Sequence, residues 1–263
     1  LWERVRVRGD LVVRNIRLTI EYDGTNYNGW QMQRLGGKNR NNVKTIQETI
    51  QDALNKILQE DVKLLASGRT DSGVHALGQV ANFRTNSNIH PKVIQKALNS
   101  LLPPDIAIVN AKEIHKEFHA TYDAKSKLYR YTICPLPFPH PLNRFYAYTV
   151  YHPLDIALMR QEAKVLIGRH NFKSFQARDK KEKNTVRTIK KLVIKPDKEF
   201  IHIDIEADGF LYNMVRNIVG TLIEIGRGKL GKGVLKKILE AKDRRLAGPT
   251  APAKGLCLVR VRY

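Results

Sequence analysis

Apolar and polar residues alternate in short blocks from Ile16 onward, and the blocks change period in a regular order along the chain. Ile16, Leu18, Ile20 and Tyr22 occupy every second position and stop at Asp23-Gly24, which predicts a strand running into a turn. Thr45 then opens a helix in which Ile46, Ile50, Ala53, Leu54 and Ile57 fall at helical spacing, with Glu48 completing a capping box. Two short extended runs follow, Val62 to Leu65 and Val80 to Phe83. Pro91 opens a second helix through Val93, Ile94, Ala97, Leu98 and Leu101, which Pro103-Pro104 ends before a strand from Ile106 to Ile114. The order is β-α-β-β-α-β, the split unit of ferredoxin-like folds.

After a stiff connection from Pro135 to Pro141, the remainder repeats that order. Leu128 to Cys134 reads as its first strand and Ile156 to Ile167 as a helix; Ile189 to Ile194 and Ile201 to Ile205 form a hairpin across Pro196-Asp197. Phe210 to Ile225 and Val234 to Leu239 read as helices, and Leu256 to Tyr263 as a last alternating strand. The expected fold is therefore α+β: two ferredoxin-like halves sharing a continuous mixed, mainly antiparallel sheet flanked by helices. Residues 1–15 are expected to be an N-terminal extension, 16–134 the N-terminal half and 135–263 the C-terminal half.

Composition changes the picture in one respect. Among 263 residues, Lys and Arg total 46 against 25 for Asp and Glu, a formal charge of +21. An ion-paired thermostable surface would need matching acids, so a polyanion is the expected partner. Nucleic acid is favoured over membrane because no apolar run approaches the roughly 18 residues of a spanning helix. Cys134 and Cys257 stand far apart without a C-x-x-C, which suggests neither a disulfide framework nor a zinc site and fits a reducing cytoplasm. Leu1 to Arg6 has no apolar signal core. Two stretches are basic enough to meet RNA or to be plain solvated loops: Arg34 to Lys44, and Arg178 to Lys191.

Candidate chemistry concentrates between the runs at 62–65 and 80–83. There Ser67-Gly68-Arg69-Thr70-Asp71-Ser72-Gly73-Val74-His75 places one carboxylate on a loop held by two strands. A lone Asp-Ser-Gly is ordinarily a turn; Arg69 two residues earlier and the rigid flanks favour a functional loop. In Thr25 to Gln33, aromatics interleaved with amides suit base stacking, while Trp30 serves equally as a lid over the core. Other motifs fail. Gly226 to Lys232 resembles a phosphate-binding loop, but Gly233 stands where Ser or Thr is needed and a helix precedes it. His115 and His119 lack the intervening glutamate position and a third ligand of a zinc site.

Four motifs in order carry a resemblance: Tyr22-Asp23-Gly24 with Gly29-Trp30-Gln31; Gly68-Arg69-Thr70-Asp71-Ser72-Gly73-Val74-His75; Tyr129-Arg130-Tyr131; and Phe210-Leu211-Tyr212-Asn213-Met214-Val215-Arg216-Asn217-Ile218-Val219-Gly220. From Ile16 to Tyr263 the chain resembles the TruA family of tRNA pseudouridine synthases. It departs from the family where Ser72 replaces a usual Ala and where Thr121 replaces a common Arg. The resemblance implies the pseudouridine synthase fold and isomerisation of uridine in the anticodon stem-loop of tRNA, at family positions 38–40, by a cytoplasmic homodimer without a cofactor. It implies that Asp71 is the essential carboxylate, acting as nucleophile on the sugar or base, or as base at C2′. It implies that Arg216 sits near Asp71 and favours its charged form, that Tyr129 stacks on the target base and assists at C5, and that Arg69 fills the space left by the flipped nucleotide. From the residues alone, Tyr129 also reads as core and Arg216 as a partner for a surface acid. A methyltransferase would need a glycine-rich loop between strand and helix, which is missing from the sequence, and a catalytically silent RNA binder would be expected to have lost Asp71.

Overall fold

The computed structural model describes residues 13–32, 44–177 and 184–263. The basic loop from Arg34 lies outside these residues except for Lys44, as do Arg178 to Lys183 of the second basic run. Strand β1 (Arg14–Tyr22) begins two residues before the expected start. It is followed by α1 (Ile46–Leu58), β2 (Leu65–Ala66), β3 (His75–Thr85), α2 (Pro91–Leu101) and β4 (Ile106–Ile114). Then come β5 (Ser126–Cys134), β6 (Tyr148–Thr149), α3 (Ile156–Ala163), β7 (Gly168–Asn171), β8 (Val186–Asp197), β9 (Phe200–Ala207), α4 (Met214–Gly226), α5 (Val234–Ala241) and β10 (Leu256–Arg262).

Local chemistry accounts for the element ends. The Thr45 hydroxyl accepts the backbone N–H of Glu48 and starts α1, whose buried face carries Ile46, Ile50, Ala53, Leu54 and Leu58; Gln59, left-handed at φ 54°, stops it. Pro91 sits in the first turn of α2, where its missing N–H costs nothing.

One sheet unites the strands in the order β4-β1-β3-β10-β5-β9-β8-β7, with β2 on β3 and β6 on β5. Within it β4-β1-β3-β2 and β10-β5-β9-β8 each show ferredoxin-like order. Pairing is antiparallel except for β3 with β10 and β5 with β6. The seam between the two sets lies on the β3 edge that β1 leaves open. His75 and Ala76 pair there with Cys257 and Leu258 of β10, while Asn82 and Ala81 pair with Leu65 and Ala66 of β2. Because two strands share one edge, the run Val62 to Leu65 keeps only a two-residue strand, although Val62 and Leu64 are buried. A single apolar cluster runs from Ile16 and Phe83 through Tyr131 to Phe172 and Ile218, so the core crosses the seam. No helix among the described residues is long and apolar enough to cross a membrane.

Several expectations are corrected. The helix expected from Phe210 begins at Met214, because Asn213 is left-handed at φ 58° and 211–214 form a turn in which Met214 N–H donates to the Leu211 carbonyl at 3.0 Å. The helix expected over 156–167 ends at Ala163 and tightens to a 3₁₀ turn. The hairpin turns at Lys198, φ 52°, instead of at Pro196-Asp197. Residues 186–191 of the second basic run belong to β8 and are not a loop.

Candidate active site

The Asp71 loop joins β2 to β3 and is clamped at both ends. Ser67 N–H donates to the Val80 carbonyl at 2.7 Å, its hydroxyl lies 2.6 Å from Gln79 Oε1, and Gln79 Nε2 donates to the Gly68 carbonyl at 3.0 Å. The Thr70 hydroxyl shares a 2.8 Å hydrogen bond with the Tyr22 hydroxyl at the end of β1, and the Thr70 carbonyl accepts from Trp30 N–H at 3.0 Å. Such a close backbone approach explains Gly29: at φ 76° it takes a conformation that suits glycine, and a Cβ there would stand 2.6 Å from the Thr70 carbonyl oxygen. Trp30 is only 1% exposed and packs on Tyr22, so of its two readings the lid over the core is the one realised.

Arg216 reaches the loop from the first turn of α4. Its Nη1 lies 3.2 Å from Asp71 Oδ2 and donates to Asn213 Oδ1 at 3.0 Å, while its Nε donates to the Ala251 carbonyl at 2.7 Å. Ala251 N–H returns a 3.1 Å bond to the Arg216 carbonyl. Segment 249–251 can lie this close only because of Gly220, where a Cβ would fall 1.7 Å from the Pro249 carbonyl oxygen. A glycine inside α4 thus sets the orientation of the guanidinium through the segment packed against it. Arg216 pairs with the loop carboxylate, not with a surface acid.

Asp71, Arg69, Tyr129 and Arg216 line one pocket of about 590 Å³, together with Phe210 to Val215 and Leu256. Asp71 is the single acidic side chain among the described residues that line it. Burial raises the Asp71 carboxyl above the ordinary carboxylate value, and the charge and hydrogen bond of Arg216 pull it back only in part. The cation acts in the direction expected of it, but desolvation is the larger influence.

Tyr129 is 7% exposed on β5 and meets Phe210 edge to face at 5.2 Å between ring centres. Burial raises its phenol well above the ordinary value, and Tyr22 and Asp71 add to the shift. Its hydroxyl makes no hydrogen bond to any described residue, which leaves it open to a ligand. Arg69 is exposed at the pocket wall without an ion pair among the described residues.

All four residues singled out in the sequence converge on this pocket. Sequence reasoning missed Lys127, two positions before Tyr129 on β5, as well as Asn213, Phe210 and the Ala251 carbonyl. Period-two spacing puts Lys127 and Tyr129 on one face of β5, a signal that the sequence does carry for the first of these. Asn213 and Phe210 stand inside a quoted motif, in a stretch whose apolar pattern reads as helix. Near the end of the chain, Leu256 lines the pocket and Leu258 is core at 1% exposure.

Comparison with known proteins places these features in a family. The family described as tRNA pseudouridine synthase matches residues 18–123 and 163–263, ranges that hold Asp71, Arg69 and Arg216 and leave Tyr129 between them. A Thermoanaerobacter sp. (strain X514) protein named tRNA pseudouridine synthase A is 47% identical over 251 residues, spanning 95% of this chain and 100% of the relative. Proteins of Clostridium perfringens (strain 13 / Type A), named tRNA pseudouridine synthase A 2, and Acetivibrio thermocellus, named tRNA pseudouridine synthase A, show the same 47% identity and the same coverage. With one carboxylate set beside an arginine in a pocket spanning the sheet seam, and likeness along nearly its whole length, the chain belongs to the tRNA pseudouridine synthases, a family of isomerases.

Proposed function

We propose that the protein isomerises uridine to pseudouridine in the anticodon stem-loop of tRNA, with Asp71 as its essential carboxylate. The observation that carries this reading is the placing of Asp71 as the pocket's single described acid, 3.2 Å from Arg216 and in the same pocket as Tyr129. The target base leaves the stack and enters the pocket, as enzymes acting on a nucleobase require. Its N1–C1′ bond breaks, the uracil turns, and C5 bonds to C1′; the proton lost from C5 is balanced by one gained at N1. Asp71 serves this sequence as a carboxylate, either attacking sugar or base or taking the C2′ proton. Arg216 keeps that carboxylate available when a bound base removes the remaining water. Tyr129 stacks on the base and offers its free hydroxyl, and Arg69 stands where the flipped nucleotide leaves space.

The formal charge of +21 suits a polyanionic substrate. We further infer a cytoplasmic homodimer: Phe138, Leu142 and Tyr151 are 58%, 84% and 57% exposed along one segment, apolar surface that a second copy would cover. Light scattering showing only a 30.1 kDa species at micromolar concentration contradicts the dimer.

Chemical mapping of pseudouridine on tRNA treated with the pure protein tests the function. Products are expected in the anticodon arm with wild type and absent with Asp71→Asn, whose tRNA affinity stays within several-fold. Product elsewhere in the tRNA, or steady turnover by Asp71→Asn, overturns the reading.

A further inference from the structure

Lys127 shares the pocket with Asp71, is partly buried, and has no carboxylate partner among the described residues. Asp71 is engaged by Arg216. Glu206, an acid facing the neighbouring residues of β5, is taken by the Ser126 hydroxyl at 2.7 Å and by Arg262 at 3.3 Å. Arg69, Lys127 and Arg216 therefore line the cavity against one described acid, an imbalance that a neutral uracil cannot relieve. Burying an ammonium without a counter-ion costs free energy, and here burial lowers the affinity of Lys127 for its proton, with the charge of Arg187 adding to the effect. A ligand that brings an anion to this spot recovers that cost.

The loop is shaped to leave room for the ammonium. A Cβ at Gly68 would sit 3.1 Å from Lys127 Nζ, so any larger residue there would press on the amine. Gly68 is three residues before Asp71, and Lys127 is two before Tyr129 on the same face of β5; the free cation and the reacting groups are thus placed by the same two segments. A nucleotide whose base reaches Asp71 and Tyr129 carries an anion on either side of its sugar.

We propose that Lys127, in the space left open by Gly68, binds the phosphodiester adjoining the uridine that enters the pocket. This rests on the RNA substrate inferred above. A compact ammonium suits such an interaction as a point charge, with three donors for non-bridging oxygens. Lys127 is on this reading a substrate-positioning residue that holds the flipped nucleotide in place.

The test measures binding of an anticodon stem-loop RNA to wild type, Lys127→Met and Lys127→Arg, with the RNA unmodified or carrying one neutral methylphosphonate on the 5′ or the 3′ side of the target uridine. Lys127→Met is expected to bind unmodified RNA about tenfold or more weakly, as when a charge-assisted hydrogen bond is removed, with a salt slope shallower by about one. One of the two methylphosphonates should weaken wild type by a similar factor and weaken Lys127→Met no further, and Lys127→Arg should recover much of the affinity. Thermal melting of the variants, no lower than wild type, separates the effect from unfolding. Unchanged affinity and salt slope in Lys127→Met overturn the proposal, as do fully additive losses with both methylphosphonates. A large loss of single-turnover rate with intact binding also overturns it, since Lys127 would then act on the chemistry. If wild type binds the stem-loop but forms no pseudouridine in it, the functional reading fails while the phosphate interaction is still judged by the binding data.

Discussion

Replacing Arg216 with Gln removes the positive charge 3.2 Å from the Asp71 carboxylate and leaves a neutral side chain in its place. Two unit charges about 4 Å apart interact by about 4 kcal/mol at an effective dielectric near 20. The two side chains are 17% and 26% exposed, and screening brings the figure to about 2 kcal/mol. Losing that interaction raises the midpoint of Asp71 ionisation. The sign follows from burial: the folded carboxyl already binds its proton more tightly than an ordinary one, and Arg216 is what restrains it. The active form is the carboxylate, so the acid limb of the rate profile should move upward in Arg216→Gln and activity should recover as pH rises. Stability should follow the same carboxyl. A group with a raised folded pKa contributes stability below its unfolded value and loses it as pH rises through the folded value, so the variant should lose stability relative to wild type as pH rises through the Asp71 midpoint and stay lower by a constant amount above it. The assay is tritium release from C5-labelled uridine in tRNA, under single turnover at saturating enzyme across pH. An unmoved midpoint with only a lower plateau would refute the electrostatic role and make Arg216 a geometric anchor for Asn213 and segment 249–251.

Tyr129→Phe should lose on the order of a hundredfold in single-turnover rate with tRNA affinity changed little, because the ring still stacks while the free hydroxyl is gone; wild-type turnover would leave Tyr129 as a stacking surface alone. Gly220→Ala should cost at least about 2 kcal/mol and lower the melting temperature, since the added methyl meets the Pro249 carbonyl at 1.7 Å; an unchanged melting curve would contradict the close approach. Changing Arg34, Lys38, Arg40 and Lys44 to Ser should weaken tRNA binding and flatten its salt dependence by about one unit for each phosphate no longer neutralised, leaving the single-turnover rate nearly intact; an unaltered slope would mean that the loop does not meet RNA.

Much of this protein is legible without coordinates. The period of two in β1 and β10, the helical spacing behind Thr45 and the proline boundaries of α2 are local properties, and each dictates an element that forms. Repetition of one β-α-β-β-α-β order leads to the two sets of strands that the sheet displays. Asp71 stands out because glycines and extended runs isolate a carboxylate on a held loop, and the loop is where those signals put it.

What escapes depends on which distant segments meet. Nothing local tells β3 to share one edge between β2, its neighbour in the chain, and β10, the last strand, yet that sharing shortens β2 and opens the pocket across the seam. Trp30 has two readings because a large amphipathic ring suits a core or a binding surface, and only its packing on Tyr22 decides between them. Burial of Asp71 outweighs its arginine through the sum of surrounding desolvation, a property no pair of residues encodes. Arg216 is aimed by a backbone carbonyl at Ala251, and carbonyls are the same in every residue type, so the sequence could name the arginine but only the tertiary structure could orient it.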